Sequence, residues 1–206
     1  PANNHFAIAE EVTVKGTHEK RPDIVLYING IALGVIELKR SKVSVSEGIR
    51  QNLDNQHSNF IKSFFTTAQF LFAGNDTEYL RYGTIETPEK EYLSWTEQGN
   101  AHDYPLDSQL ELLCNKERLI ELLHDFIVFD AGKKKLPRPN QYFGVKAAQL
   151  RVKNREGGII WHTQGSGKSL SMLWFTQKVL RQVAGKWTFV MVTDRTELDT
   201  QLHDEF

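Results

Sequence analysis

Residues 21–40 read RPDIVLYINGIALGVIELKR, two apolar runs hinged at Asn29-Gly30. Asn-Gly between such runs is a strong short-range hairpin signal, because both residues tolerate the positive φ of a tight turn. Two antiparallel strands are therefore predicted, with Asp23 entering the first and Glu37 and Lys39 ending the second. Carrying two carboxylates and a lysine into a mostly apolar sheet is costly unless they are paired or hold a cation. Two carboxylates suit a divalent ion such as Mg2+, and a lysine beside them suits phosphate. The competing reading is plainer: Asp23 caps a strand, and Glu37 and Lys39 form a solvated strand end.

Register separates the two readings. With a plain two-residue turn, Ile28 faces Ile31 and Asp23 faces Ile36, so Asp23 and Glu37 point to opposite faces of the sheet. One ion cannot then bridge them. A shift of one residue sets Asp23 across from Glu37, with Lys39 on the same face. The metal-site reading thus predicts an odd-length turn or a single bulge between Asp23 and Glu37.

Working outward, Phe6–Val14 reads as a strand that brings Glu10 and Glu11 near the hairpin, where either is a candidate third carboxylate. A helix is predicted from Ser46 toward Phe65, with Gln51, Asn55 and Gln56 near one side. Gln69–Ala73, Tyr79–Ile85 and Glu91–Trp95 read as strands, and Gly99–Asp107 as a loop. From Ser108 to Phe129 an apolar stripe predicts a helix, with Cys114 as a small buried residue. Gly132–Pro137 reads as a basic linker, in which Lys133–Lys135 and Arg138 are solvated or touch phosphates. Gln141–Arg151 then reads as a short helix. Trp161 and Trp174 read as core.

A second motif, HTQGSGKS at His162–Ser169, lies between an apolar run, Gly158–Trp161, and a helical pattern, Lys168–Gln182; Thr188–Thr193 reads as the following strand. Strand, glycine-rich loop and helix are the context of a phosphate-binding loop. Thr163, Gln164, Gly165, Ser166 and Gly167 would wrap the phosphates of ATP. Lys168 would reach the β- and γ-phosphates, and Ser169 would hold Mg2+. His162 stands where the strict pattern has glycine, as in the helicase-type variant of the loop.

Composition sets the outer bounds. With 206 residues and a formal net charge of −1, the chain has room for a large domain plus part of another, and any nucleic-acid contact must come from local patches. One cysteine excludes an internal disulfide and Cys-based zinc sites, which fits a reducing cytoplasm. No apolar run approaches the roughly 20 residues of a membrane span, and Pro1–Lys20 has no signal-peptide core. Pro1 in place of Met predicts a fragment or processed product.

Taken in order, RPDIVLYINGIALGVIELKR, QNLDNQ, HTQGSGKS and VTDRTELDTQ resemble the restriction and translocation (R) subunit of type I restriction enzymes, over most of the chain. The resemblance implies an α/β fold: a PD-(D/E)xK nuclease-like mixed sheet flanked by helices over 1–105 and a helical connector and linker over 106–137. The start of a RecA-like superfamily-2 motor would follow over 138–206. Asp23, Glu37 and Lys39 would be the nuclease residues, with Asp23 and Glu37 on Mg2+. Gln51 matches the glutamine of the family's helix motif, while Asn55 stands where the pattern has Tyr. Arg138 and Gln141 resemble the segment that reads adenine, although Pro139 and Asn140 depart from it. Thr193-Asp194-Arg195 resembles a helicase motif that lies near DNA.

The resemblance further implies double-stranded DNA as substrate, and methyltransferase (M) and specificity (S) subunits as partners. The 206 residues lack the acidic ATPase motif and the second motor domain, so no useful ATP turnover is expected from them alone. Two other classes stay open: a superfamily-2 translocase whose first domain only binds or docks DNA, and a nucleotide-binding regulator without a motor.

Overall fold

The computed structural model describes residues 2–97 and 105–192. Five strands, β1 (Phe6–Glu10), β2 (Ile24–Ile28), β3 (Ile31–Leu38), β4 (Phe70–Asn75) and β5 (Tyr79–Gly83), form one sheet in the order β1-β2-β3-β4-β5. Only the β3–β4 pair is parallel. A parallel pair needs a long crossover, and helix α1 (Val45–Asn55) lies within it. Ser44 caps α1 by accepting the N–H of Ser46. The helix stops at Asn55 instead of running to Phe65, and the Gln56 N–H turns back to the Leu53 carbonyl at 3.1 Å. A 3-10 turn at Lys62–Thr66 follows.

Alternation along the strands builds two cores. Val25, Val35, Leu71 and Ala73 face α1 and the Ile61–Phe65 segment. Leu26, Ile28, Ile36, Phe70 and Phe72 face the other way, against helices α2 (Leu106–Leu113), α3 (Lys116–Asp125), α4 (Pro139–Lys153) and α5 (Lys168–Gln182). The sheet is thus mixed and mostly antiparallel, with helices on both faces. Trp95, Phe126, Tyr142 and Trp174 are buried together in that second core, so residues 2–97 and the helices α4 and α5 share one interior.

Several expectations change. The helix expected over Ser108–Phe129 is two, because Asn115 Oδ1 accepts the N–H groups of Glu117 and Arg118 and starts a new one. The expected linker at Gly132–Pro137 is half of a hairpin, β6 (Val128–Asp130) and β7 (Lys133–Lys135), turned at Ala131 and Gly132 with φ of 47° and 77°. Lys134 Nζ ties it to the Gln69 side chain at 2.7 Å. The first strand ends at Glu10, and Glu91–Trp95 makes a single bridge, Tyr82 to Leu93. Cys114 is half-buried rather than buried, and burial raises its thiol to about 12.

The expected strands at Gly158–Trp161 and Thr188–Thr193 are not strands over their described residues. Neither belongs to either sheet, and Ile159 and Trp161 are 91% and 89% exposed. A motor strand buried on both faces needs neighbours to pair with, and the described residues provide none there. Trp174, by contrast, is core as expected.

Candidate functional site

The hairpin turn contains two residues, Asn29 and Gly30, with φ of 53° and 79°, and Ile28 pairs with Ile31. Had the ladder continued regularly, Asp23 would have faced Ile36. Instead the register shifts past Tyr27, where Ala32 pairs with Tyr27 and Gly34 with Leu26, leaving Leu33 as the extra residue of a bulge. Ile24 then pairs with Ile36, which sets Asp23 across from Glu37. The single bulge that the metal-site reading requires is present.

Helix α1 completes the arrangement. Gly48 lets it lie close on the sheet: a Cβ there would meet Ala73 Cβ at 3.2 Å and Lys39 Cγ at 3.5 Å. One turn later Gln51 reaches between the charged side chains. Its Nε2 donates to Glu37 Oε2 at 2.6 Å and its Oε1 accepts from Lys39 Nζ at 2.6 Å. Lys39 Nζ itself lies 3.8 Å from Glu37 Oε2. Asp23 Oδ2 accepts the N–H of Leu38 at 2.7 Å, which anchors it to the strand that carries Glu37.

Glu37 is 0% exposed. Burial first, then the charge of Asp23, raises its carboxyl to about 8; Lys39 and Lys20 oppose the rise. Its Oε1 is buried without a hydrogen-bond partner. An orphaned carboxylate oxygen beside a second carboxylate is the donor set a hard divalent cation takes, so the residues present fit one. Glu10 is not part of it. It pairs with Ile24, whose side chain is on the face opposite Asp23, and Glu11 pairs with Arg21 at 3.0 Å. Among the described residues, no three His, Cys, Asp or Glu side chains form a cluster able to hold a metal.

The segment expected to be a phosphate loop, His162–Ser169, leads into helix α5 without a strand directly before it among the described residues. Gly165 and Gly167 take φ of 74° and 76°, a conformation that favours glycine. Gly167 caps α5, whose first residues are Lys168 and Ser169. Lys168 Nζ closes across the loop onto the Thr163 carbonyl at 3.0 Å, and Ser166 Oγ donates to the same oxygen at 2.7 Å. Gln141 braces the loop from behind, donating to the carbonyls of Ser166 and Gly167 at 3.0 and 2.9 Å while its Oε1 accepts the Arg138 N–H at 2.8 Å. Thr163, Gln164 and Lys168 are exposed. The loop opens on a cavity of about 540 Å3, whose other walls include Thr84, Lys90 and Lys133.

The family description "Type I restriction enzyme R protein N terminus" matches residues 1–90, and "SWI2/SNF2 ATPase" matches residues 140–206. The chain is 30% identical to the type I restriction enzyme HindI endonuclease subunit of Haemophilus influenzae, over 99% of this chain and 21% of that protein. It is 27% identical to the type I restriction enzyme SauCOLORF180P endonuclease subunit of Staphylococcus aureus, over 98% of this chain and 22% of that one. The chain belongs to the type I restriction enzyme R proteins. It spans about a fifth of the length of these relatives.

Thr193, Asp194 and Arg195 of this R protein lie outside the described residues, as do the loop residues 98–104. A buried ion cluster that sequence reading passed over joins its helices. Lys178 of α5, 1% exposed, donates to Asp125 Oδ2 at 2.5 Å and Glu121 Oε1 at 2.8 Å on α3. Lys146 and Tyr142 of α4 complete it through Glu121 Oε2. The signal was legible: Glu121 and Asp125 stand four apart, and Lys178 interrupts an apolar stripe. No helix among the described residues is long and apolar enough to cross a membrane.

Proposed function

We propose that this R protein is the DNA-cleaving, ATP-driven translocating subunit of a type I restriction enzyme. Its PD-(D/E)xK nuclease would occupy residues 1–105, its helical connector 106–137 and its RecA-like motor would begin at 138. The single observation that carries the nuclease reading is the bulge at Leu33, which sets Asp23 across from Glu37, with Gln51 joining Lys39 to Glu37. Asp23 and Glu37 would hold Mg2+. When bound, the ion supplies charge for a phosphodiester oxygen and lowers the pKa of an attacking water.

The chain's own residues do the rest. Gln51 holds the Glu37 carboxylate and the Lys39 ammonium at fixed positions, and Lys39 is the cation available to the charge that develops on a phosphate. At the second site, the backbone of Gly165–Lys168 and the N-terminus of α5 suit the phosphates of ATP, with Ser169 toward Mg2+. Gln141 holds that loop in shape and is available to adenine only through a rearranged amide. Double-stranded DNA is the proposed substrate, M and S subunits the proposed partners, and the cytoplasm the proposed compartment.

The test uses the full-length subunit reconstituted with its M and S partners on plasmid DNA and Mg2+. Asp23→Ala is expected to abolish cutting and retain DNA-stimulated ATPase. Lys168→Ala is expected to lose both. Cutting that persists in Asp23→Ala overturns the nuclease assignment in favour of a docking module.

A further inference from the structure

We infer that Lys20 is a second substrate-contacting lysine of the nuclease, engaging a backbone phosphate of the DNA beside the one that is cut. The inference rests on the nuclease reading above and extends it to a residue that the family motif does not include.

Lys20 stands three residues before Asp23. It ends a loop that is built rather than loose. Val14 and Lys20 exchange backbone hydrogen bonds at 2.8 and 3.1 Å, closing residues 14–20 into an antiparallel bridge. The loop is stapled to the segment after α1: Thr17 N donates to the Phe60 carbonyl at 3.1 Å, and Thr17 Oγ1 to the Ser58 carbonyl at 3.1 Å. Gly16 lies so close that a Cβ there would come within 2.1 Å of the Phe60 carbonyl oxygen. His18 packs its ring 6.0 Å from that of Phe60.

This staple places Lys20 on the same side of the sheet as the carboxylates. Ile61, next to Phe60, packs with Val35 and Leu71, and Val14 joins the same cluster. Val35 alternates with Glu37 on the face that α1 covers. The charge of Lys20 is felt at Glu37 from there.

The neighbouring cations are committed and Lys20 is not. Arg21 pairs with Glu11 at 3.0 Å, and Lys39 binds Gln51 and faces Glu37. Lys20 makes no ion pair among the described residues; its Nζ rests 4.1 Å from the centroid of the Phe60 ring. A cation parked on an aromatic face is held weakly in position by the ring's quadrupole. It remains free to take an anion. At the rim of a phosphodiester-cleaving site, the anion of matching chemistry is a DNA phosphate.

The experiment uses the full-length subunit. Lys20→Met keeps the aliphatic stem on Phe60 and removes the charge; Lys20→Arg keeps the charge. Binding to a short duplex is followed by fluorescence anisotropy across a salt series, and plasmid cutting and ATPase are measured in the reconstituted enzyme. Lys20→Met is expected to lower the slope of log affinity against log salt by about one contact. It should also slow cutting about tenfold, leave ATPase unchanged, and be matched by near-normal behaviour of Lys20→Arg. An unchanged salt slope and cutting rate in Lys20→Met overturns the inference, as does equal failure of Lys20→Arg, which would make the role one of packing. Asp23→Ala in parallel keeps the two claims apart: persistent cutting there removes the nuclease reading itself, whereas a dead Asp23→Ala beside a normal Lys20→Met removes only Lys20.

Discussion

At the scale of single residues, Glu37 is the most heavily perturbed group of the candidate nuclease site. Burial and the charge of Asp23 raise its carboxyl from 4.5 to about 8. Between those values, in chelator-treated protein, the native state holds a proton that the unfolded chain has released. Stability therefore falls as pH rises through that window, and the loss is absent below 4.5. Glu37→Gln is expected to flatten this decline, read as the urea midpoint in EDTA across the same pH range. Because a ligating carboxylate must be ionised, Mg2+ affinity of the native site should rise about tenfold per pH unit up to the Glu37 value. Calorimetry in buffers of different ionisation enthalpy would register the released proton, and no release would count against Glu37 as a ligand.

At the scale of elements, the site depends on how closely α1 approaches β3, and Gly48 sets that distance. Its missing Cβ would stand 3.2 Å from Ala73 Cβ and 3.5 Å from Glu37 O. Gly48→Val forces the helix outward, with a cost of about 1–3 kcal/mol for overpacking. Gln51, one turn on, would be drawn away from both Glu37 and Lys39. The expected result is a larger loss in cutting rate than in urea stability, and a normal cutting rate would show that Gln51 is not needed at its observed distances. Gly167 is the counterpart at the phosphate loop. It has φ of 76° and leaves only 2.6 Å between a Cβ and Gln141 Nε2, so Gly167→Ala should weaken nucleotide binding as measured by fluorescent-ATP titration.

At the scale of the whole molecule, the ion cluster of Lys178, Asp125 and Glu121 locks α5 onto α3. Removing one member strands a buried charge, so Lys178→Met alone should cost about 3–5 kcal/mol. Joining it with Asp125→Leu should recover most of that loss, because an apolar pair replaces an ionic one at similar volume. Urea unfolding of the two variants gives the comparison; equal destabilisation would mean that shape rather than charge sets the cost. The lock also explains why the expected boundary near residue 137 is hard to see as a seam. Tyr142 and Trp174 are buried in the same core as Leu26 and Phe72.

Local chemistry determined much of this protein. Asn29-Gly30 specified the turn, alternation specified two strands and their faces, and Gly165, Gly167 and Lys168 specified a loop entering a helix at Lys168. Each is a contact within a few residues, and periodicity carries that information. Sequence also posed the register question, since side chains alternate, but did not answer it: Gly34 inside the strand is a bulge signal, yet IALGVIEL does not say which residue is extra. The bulge is decided by neighbours distant in sequence, with β4 pairing alongside β3 and α1 bringing Gln51 to Glu37 and Lys39. The same holds for Gly158–Trp161 and the described part of Thr188–Thr193, whose apolar runs read as strands yet stand exposed. A strand exists by pairing, and its partners are a property of the tertiary structure.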